Sequence, residues 1–376
     1  MGPDSRRLLA FFASTRALVA IVALLAVLYL PKFQYYDCCG HHTLGYDWPL
    51  DVFVRWDAVW YLRIATLGYS FAPDSISTAG WFPLYPLLIA ALSVAMDPAI
   101  AGLLISHAGL LFAIFMLYRL AGVDLSRKAS RRTVLYTLAF PPAIFFSMIY
   151  SESLFLALSA SAFYFARRGR WREAGILGLF SALARPIGLM LLPAFVLEYA
   201  VQKGLLHGWK LKPGWPSKLD RSLWWLVLIP AGTAAFAAYL QLALGNVFAY
   251  VETQAIINRF TYFPLSSFFE PLWKPVPEVF LGFAYGLFGL SMVWLMRNRL
   301  RKSYTLYSFL VLLLPLSTGA LTGMHRYILV TFPIAMMLAV MSEGRRDRHF
   351  HYPLTALFVA LLAIYAVLYA NGWPIH

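Results

Sequence analysis

Residues 55–69 read RWDAVWYLRIATLGY. The stretch sets Arg55, Asp57 and Arg63 among aromatic and aliphatic side chains. Neither a lipid-facing helix nor a plain core helix favours that mixture, because an ionised group in an apolar setting needs a partner or water. Whether these residues cross a bilayer or lie on its surface fixes the sidedness of everything that follows them.

The surrounding composition says that a bilayer is present. Of 376 residues, 61% are hydrophobic and 13% charged, with a mean hydropathy of +0.67. Soluble domains carry roughly 25% charged residues, about twice as many. Apolar stretches fall near 8–30, 82–97, 99–121, 133–149, 151–166, 174–201, 222–245, 276–296, 304–322, 325–342 and 352–370. Several reach the length of about 20 residues that a spanning helix needs. These features predict an all-α, polytopic integral membrane protein. No internal repeat or low-complexity segment interrupts it. A single domain over 1–376 is expected, with a module over 1–221 and a more variable helix group over 222–376. The basic N-terminus runs into an apolar stretch longer than a signal-peptide core and without a small-residue cleavage site, which predicts a retained first span.

The formal charge of +14 is concentrated in DLSRKASRR (124–132), RRGRWRE (167–173), 203–221, RNRLRK (297–302) and EGRRDRH (343–349). No nucleic-acid-binding motif accompanies these clusters, so they are expected to be cytoplasmic loops under the positive-inside rule. Placing all of them inside constrains the path. Segment 82–97 then stays in the outer interface, and 174–201 becomes two short helices that go out and back, turning at Arg185-Pro186. The cytoplasmic side receives 24 of the 31 Lys/Arg and 7 of the 17 Asp/Glu. Ten crossings result, with the N-terminus inside and two long outer loops at 31–98 and 246–275.

This topology brings Asp57, Glu152, Arg185, Arg259, His325 and Arg326 to the outer side from five separate connections. Arg185 lies between apolar helices, where a charge is usually functional. Acid and base groups beside a lipid-accessible cavity suggest chemistry on a lipid with a negative head group. DCCGHH (37–42) has metal-ligand residue types, yet its spacing matches no zinc pattern. Cys38 and Cys39 are expected to be free thiols in an irregular loop. Neither GxGxxG nor a P-loop is present, which argues against a nucleotide-sugar donor on a soluble domain.

WDAVWYLRIATLGY resembles the signature of the GPI mannosyltransferase 2 (PIG-V type) family, within the GT-C superfamily of polyprenyl-phosphate-sugar-dependent glycosyltransferases. The matching residues are Trp56, Asp57, Ala58, Gly68 and Tyr69. Further blocks follow in order: WFPLYPLL (81–88), YSESLF (150–155), ALARPIGLMLLP (182–193), QAIINRF (254–260) and HRY (325–327). Together they extend over nearly the whole chain. The family commonly has His where this chain has Trp60, so any role of that imidazole is absent or moved. The resemblance implies a GT-C fold and a mannosyltransferase using polyprenyl-phosphate-mannose. It leaves the acceptor open, since eukaryotic members act on GPI precursors and prokaryotic relatives cannot.

GT-C enzymes invert, so a single carboxylate suffices as general base, and the resemblance gives that role to Asp57. A helix N-cap is the structural alternative. Arg185, Arg326, His325 and Arg63 are candidates for the donor phosphate, because guanidinium groups match phosphate geometry; Arg326 also suits snorkelling to head groups. Trp56, Tyr150, Glu152, Gln254 and Arg259 are candidates for the sugar or the acceptor. Trp56 equally suits the aromatic belt, and Glu152 the first turn of a helix. No cofactor is expected, although the outer acids leave a divalent metal open. The expected partners are the polyprenyl-phosphate-sugar donor, a lipid-linked or glycan acceptor and membrane lipids. The expected place is a prokaryotic plasma membrane with an extracytoplasmic site. Two rivals stand beside this reading: the same enzyme with another sugar, and a transporter or flippase, which would show midplane charge and repeat symmetry.

Overall fold

The computed structural model describes residues 2–31, 46, 49–207, 210–211, 220–257, 259, 263, 265–343, 347–373 and 375. The DCCGHH stretch, with Cys38 and Cys39, lies outside the described residues. The elements in chain order are α1 (Pro3–Tyr29), α2 (Asp57–Leu67), α3 (Leu84–Leu92), α4 (Pro98–Asp124), α5 (Arg127–Ala139), α6 (Glu152–Arg167), α7 (Trp171–Ala184) and α8 (Leu191–Gln202). After them come α9 (Leu228–Leu244), α10 (Ala249–Ile256), α11 (Glu270–Trp273), α12 (Pro277–Met296), α13 (Lys302–Leu316), α14 (Met324–Val330), α15 (Pro333–Met341) and α16 (Asp347–Ala370). Among the described residues, regular structure is helical apart from a two-residue pairing of Leu206–His207 with Lys210–Leu211. One buried cluster runs from Leu8 to Ile375, and α1 packs on α16, so the two ends of the chain share a core.

Among the described residues, five helices are long and apolar enough to cross a membrane, and two bent helix pairs raise the number to seven. Two shorter apolar helices, Pro186–Gln202 and Lys302–Leu316, fall below that length, and prolines interrupt two of the expected segments. Segment 133–149 is broken at Phe140-Pro141-Pro142. There α5 gives way to a short 3-10 helix (Pro141–Ser147), which meets α6 at 99°. Segment 325–342 bends by 73° between α14 and α15, next to Pro333. As expected, α3 is too short to cross: nine residues span about 14 Å. The 174–201 segment does turn at Arg185-Pro186, from α7 into a 3-10 helix (Pro186–Met190) and then α8. Gly188 permits that turn to fold back on α7, since a Cβ there would sit 2.4 Å from the Ser181 carbonyl carbon.

The break after α5 has a specific solution. Pro141 and Pro142 have no N–H, so the carbonyls four residues earlier lose their helical donors. Arg16, buried at the middle of α1, supplies a replacement. Its Nη2 donates to Leu138 O at 3.0 Å, and its Nη1 donates to Ala143 O and Ser147 Oγ, each at 2.8 Å. The break carries the chain straight into Tyr150, Ser151 and Glu152.

The helix ends opposite Glu152 gather a second set of charges. At the far end of α6, Arg167 pairs with Asp124 and with buried Glu198, and Arg301 also reaches Glu198, at 3.1 Å. The basic connections 124–132, 167–173 and 297–302 thus meet at one end of the bundle. Asp57, Glu152, Arg185 and Arg326 meet at the other.

Candidate active site

Three backbone features aim the side chains. Trp56, just before α2, has φ 55 and ψ −123, an uncommon conformation for a bulky residue. It turns the chain so that Asp57 becomes the first residue of α2; strain of this kind gathers at functional sites. Arg185 is extended (φ −155, ψ 147) because the following proline disfavours the helical region. Gly323, at φ 82, starts α14 three residues before Arg326.

The carboxylates and guanidinium groups form one chain of ion pairs. Arg326 Nη1 donates to Asp57 Oδ2 at 2.6 Å, and its Nε donates to Glu152 Oε1, also at 2.6 Å. Arg185 Nη1 donates to the same Glu152 oxygen at 2.6 Å and lies 3.4 Å from Ser151 Oγ. Ser151 in turn shares a 2.8 Å hydrogen bond with the Tyr61 hydroxyl, one turn along α2 from Asp57. Burial pushes the Tyr61 phenol well above its ordinary pKa, with Asp57 and Glu152 adding to the effect, so it stays protonated. The Arg326 guanidinium lies 4.7 Å from the Tyr150 ring centroid. Glu152 is fully buried, whereas the Asp57 side chain is 23% exposed.

That exposure opens onto a cavity of about 260 Å³. Asp57, Arg185, Arg326 and Arg259 line it, together with Trp56, Trp60, Tyr61, Trp81, Tyr250, Gln254, Tyr327 and smaller neighbours. Trp60 and Trp81 stack at 4.6 Å with 13° between their planes. The outer loop closes one side. Gln254 donates to Gly80 O at 3.0 Å, Ser77 and Thr253 hydroxyls meet at 2.7 Å, and Arg259 lies 3.4 Å from Gln254 Oε1. Burial raises the Tyr250 phenol as well, keeping it neutral at the wall.

The structure therefore gathers Asp57, Arg185, Arg326, Arg259, Gln254 and Trp56 around one space. Four other candidates sit elsewhere. Glu152 lies behind the cavity wall and touches it only through the two arginines. Tyr150 is buried, its hydroxyl donating to Arg55 O at 3.3 Å. His325 turns away into a nest of Phe145, Tyr285 and Tyr365 rings. Arg63 lies over Trp60, 5.3 Å from the ring centroid, and is absent from the cavity wall. Tyr61, Trp81, Tyr250 and Tyr327 were not singled out from the sequence, and Trp60 was noted only as a departure from the family pattern. Only Tyr61 gave a positional signal, lying four residues after Asp57 on the same helix face. Among the described residues, no group of three or more His, Cys, Asp or Glu is arranged to hold a metal ion.

Residues 45–202 match the profile of the family described as Mannosyltransferase (PIG-V). Over those residues the chain is similar to the PIG-V type. The resemblance carried by WDAVWYLRIATLGY is thereby borne out. The matched segment includes Asp57, Glu152 and Arg185 and ends before Arg259 and Arg326. A curated relative, GPI alpha-1,6-mannosyltransferase 2 of Rattus norvegicus, is 28% identical over 212 residues, covering 50% of this chain and 42% of the rat protein. Less than half of that relative's length is spanned. Among solved structures, ArnT from Cupriavidus metallidurans, bound to undecaprenyl phosphate, aligns with a TM-score of 0.50 at 14% identity. The alignment covers 99% of this chain and 72% of ArnT. It shows a shared fold, here built of helices of which several are long and apolar enough to cross a membrane.

Proposed function

We propose that this protein is an inverting mannosyltransferase that moves mannose from polyprenyl-phosphate-mannose to a hydroxyl of a lipid-linked or glycan acceptor on the extracytoplasmic face. One observation carries the reading. Asp57 is a partly exposed carboxylate at the wall of a cavity that also presents three guanidinium groups and an aromatic surface. The similarity to the PIG-V type supports mannose as the sugar. The ArnT fold, solved with undecaprenyl phosphate, supports a polyprenyl phosphate carrier.

The acceptor oxygen attacks the sugar C1 from the face opposite the phosphate. The new C1–O bond forms as the C1–O(phosphate) bond breaks, and the phosphate leaves with the electron pair. Asp57 takes the hydroxyl proton, a contribution of about 10²–10⁴-fold. The leaving phosphate needs no strong acid, only positive charge where negative charge develops. Arg326, Arg185 and Arg259 are placed to supply it. Trp56, Trp60 and Trp81 form the apolar wall against which sugar rings stack.

The test compares the purified protein with its Asp57→Asn variant, using radiolabelled polyprenyl-phosphate-mannose and a lipid extract from the source cells. Labelled lipid or glycan from the wild type, and a loss of at least about 100-fold in the variant with donor binding retained, is the expected result. Equal transfer by both proteins would remove Asp57 from the chemistry. Absence of donor binding by either would overturn the assignment.

A further inference from the structure

Glu152 is the carboxylate of this cluster that no substrate reaches. It is 0% exposed and absent from the cavity wall, yet both site arginines end on it. The arrangement is uneven. Glu152 Oε1 accepts from Arg185 Nη1 and from Arg326 Nε, each at 2.6 Å, while Oε2 is buried with no hydrogen-bond partner. Converging both donors on one oxygen draws the two guanidinium groups to a common point at the edge of the cavity. It also divides Arg326, whose Nη1 holds Asp57. Two positive and two negative groups therefore balance, with Arg326 shared between the carboxylate that faces the substrate and the one that does not.

Resting on the assignment of Asp57 as base and of the arginines as the phosphate site, we propose that Glu152 is a positioning residue with two effects. It fixes Arg185 and Arg326 as a joint fork for the donor phosphate, and it limits how tightly Arg326 is drawn to Asp57. Without its charge, two guanidinium groups face a single carboxylate. The surplus positive charge strengthens the hold on phosphate. Arg326, no longer shared, goes over to Asp57 and makes it a weaker base. Tyr61 on its own helix, Tyr150, and Tyr369 of α16 also face Asp57, with Arg185 beyond Glu152. None of them changes charge when Glu152 is neutralised.

A brace that merely holds the fold predicts the opposite pattern, in which donor binding and turnover fall together. The experiment uses the full-length protein in detergent or nanodiscs. Polyprenyl phosphate alone serves as the binding probe, and polyprenyl-phosphate-mannose turnover is followed against pH. Glu152→Gln is expected to bind polyprenyl phosphate at least as tightly as wild type, to lose about tenfold or more in kcat, and to move the acidic limb of the kcat profile to lower pH. Glu152→Asp keeps the charge but is one methylene shorter, so it cannot span both arginines. It is expected to bind the probe several-fold more weakly with the acidic limb unmoved.

A tenfold loss of probe binding by Glu152→Gln, with its pH limb unmoved, would overturn the proposal and leave Glu152 a brace. If Glu152→Gln does not fold, Glu152→Asp decides: wild-type binding and turnover in that variant would overturn it. Failure of the underlying assignment is seen separately, as absence of probe binding by wild type or full transfer by Asp57→Asn.

Discussion

Arg326 and Arg63 carry the same charge at the same end of the protein, and their surroundings give them different work. Arg326 donates from two nitrogens to two carboxylates, and a planar guanidinium can hold both at once. A lysine has a single ammonium and cannot reproduce that span. Arg326→Lys is expected to lose about 100-fold or more in kcat/KM for the polyprenyl-phosphate-sugar donor, checked by steady-state kinetics. Arg63 lies over the Trp60 ring and not at the cavity wall, and Arg63→Gln is expected to stay within about threefold of wild type in the same assay. Sequence spacing told these two apart poorly, because both stand in outer-side segments next to aromatic residues. The same limit applies to His325. Its neighbour Arg326 turns to the cavity while its own ring packs among aromatics, and which of two adjacent helical residues faces inward depends on how the helix is rotated. Asp57 was singled out through the resemblance, since on the residues alone a helix N-cap answers for its charge as well.

At the level of elements, the turn between α7 and α8 was the segment best anticipated, since Arg185-Pro186 interrupts an apolar stretch that is otherwise continuous. The break itself was readable from Pro186; the close return of the 3-10 helix onto Ser181 was not, because it depends on tertiary contact. Gly188→Ala puts a methyl against that backbone with no flexible side chain to yield. The turn must shift by several tenths of an ångström, and Arg185 three residues away shifts with it. We expect kcat to fall at least tenfold while helical content by circular dichroism is kept, and thermal stability to drop by about 1–3 kcal/mol. The break of 133–149 at its proline pair and the 73° bend beside Pro333 were, by contrast, read as continuous spans, and hydropathy alone misses them because the residues on either side are equally apolar.

For the molecule as a whole, the site is shared between regions that sequence reading had separated. Asp57, Glu152 and Arg185 belong to 1–221, whereas Arg259 and Arg326 come from 222–376, so the first part alone has an incomplete cavity. The charge distribution that suggested this convergence also makes a test of sidedness. In a background with Cys38 and Cys39 replaced by Ser, a cysteine placed at exposed Asp74 is expected to react with a membrane-impermeant maleimide on intact cells. One at exposed Arg299 is expected to react only after the membrane is opened. The reverse pattern would turn the protein over and move the cavity to the cytoplasmic face.

Arg16 adds a consequence for how such a chain is made. Its acceptors lie 122 to 131 residues further along the sequence. A ribosome adding about 5–20 residues per second reaches them roughly ten seconds after α1 has emerged. Until then α1 carries an unanswered cation at its centre, at a cost of about 2.5–3.5 kcal/mol against entering lipid. Any state in which α1 has entered lipid before residues 138–147 have folded carries that cost, and docking of the proline-broken segment removes it.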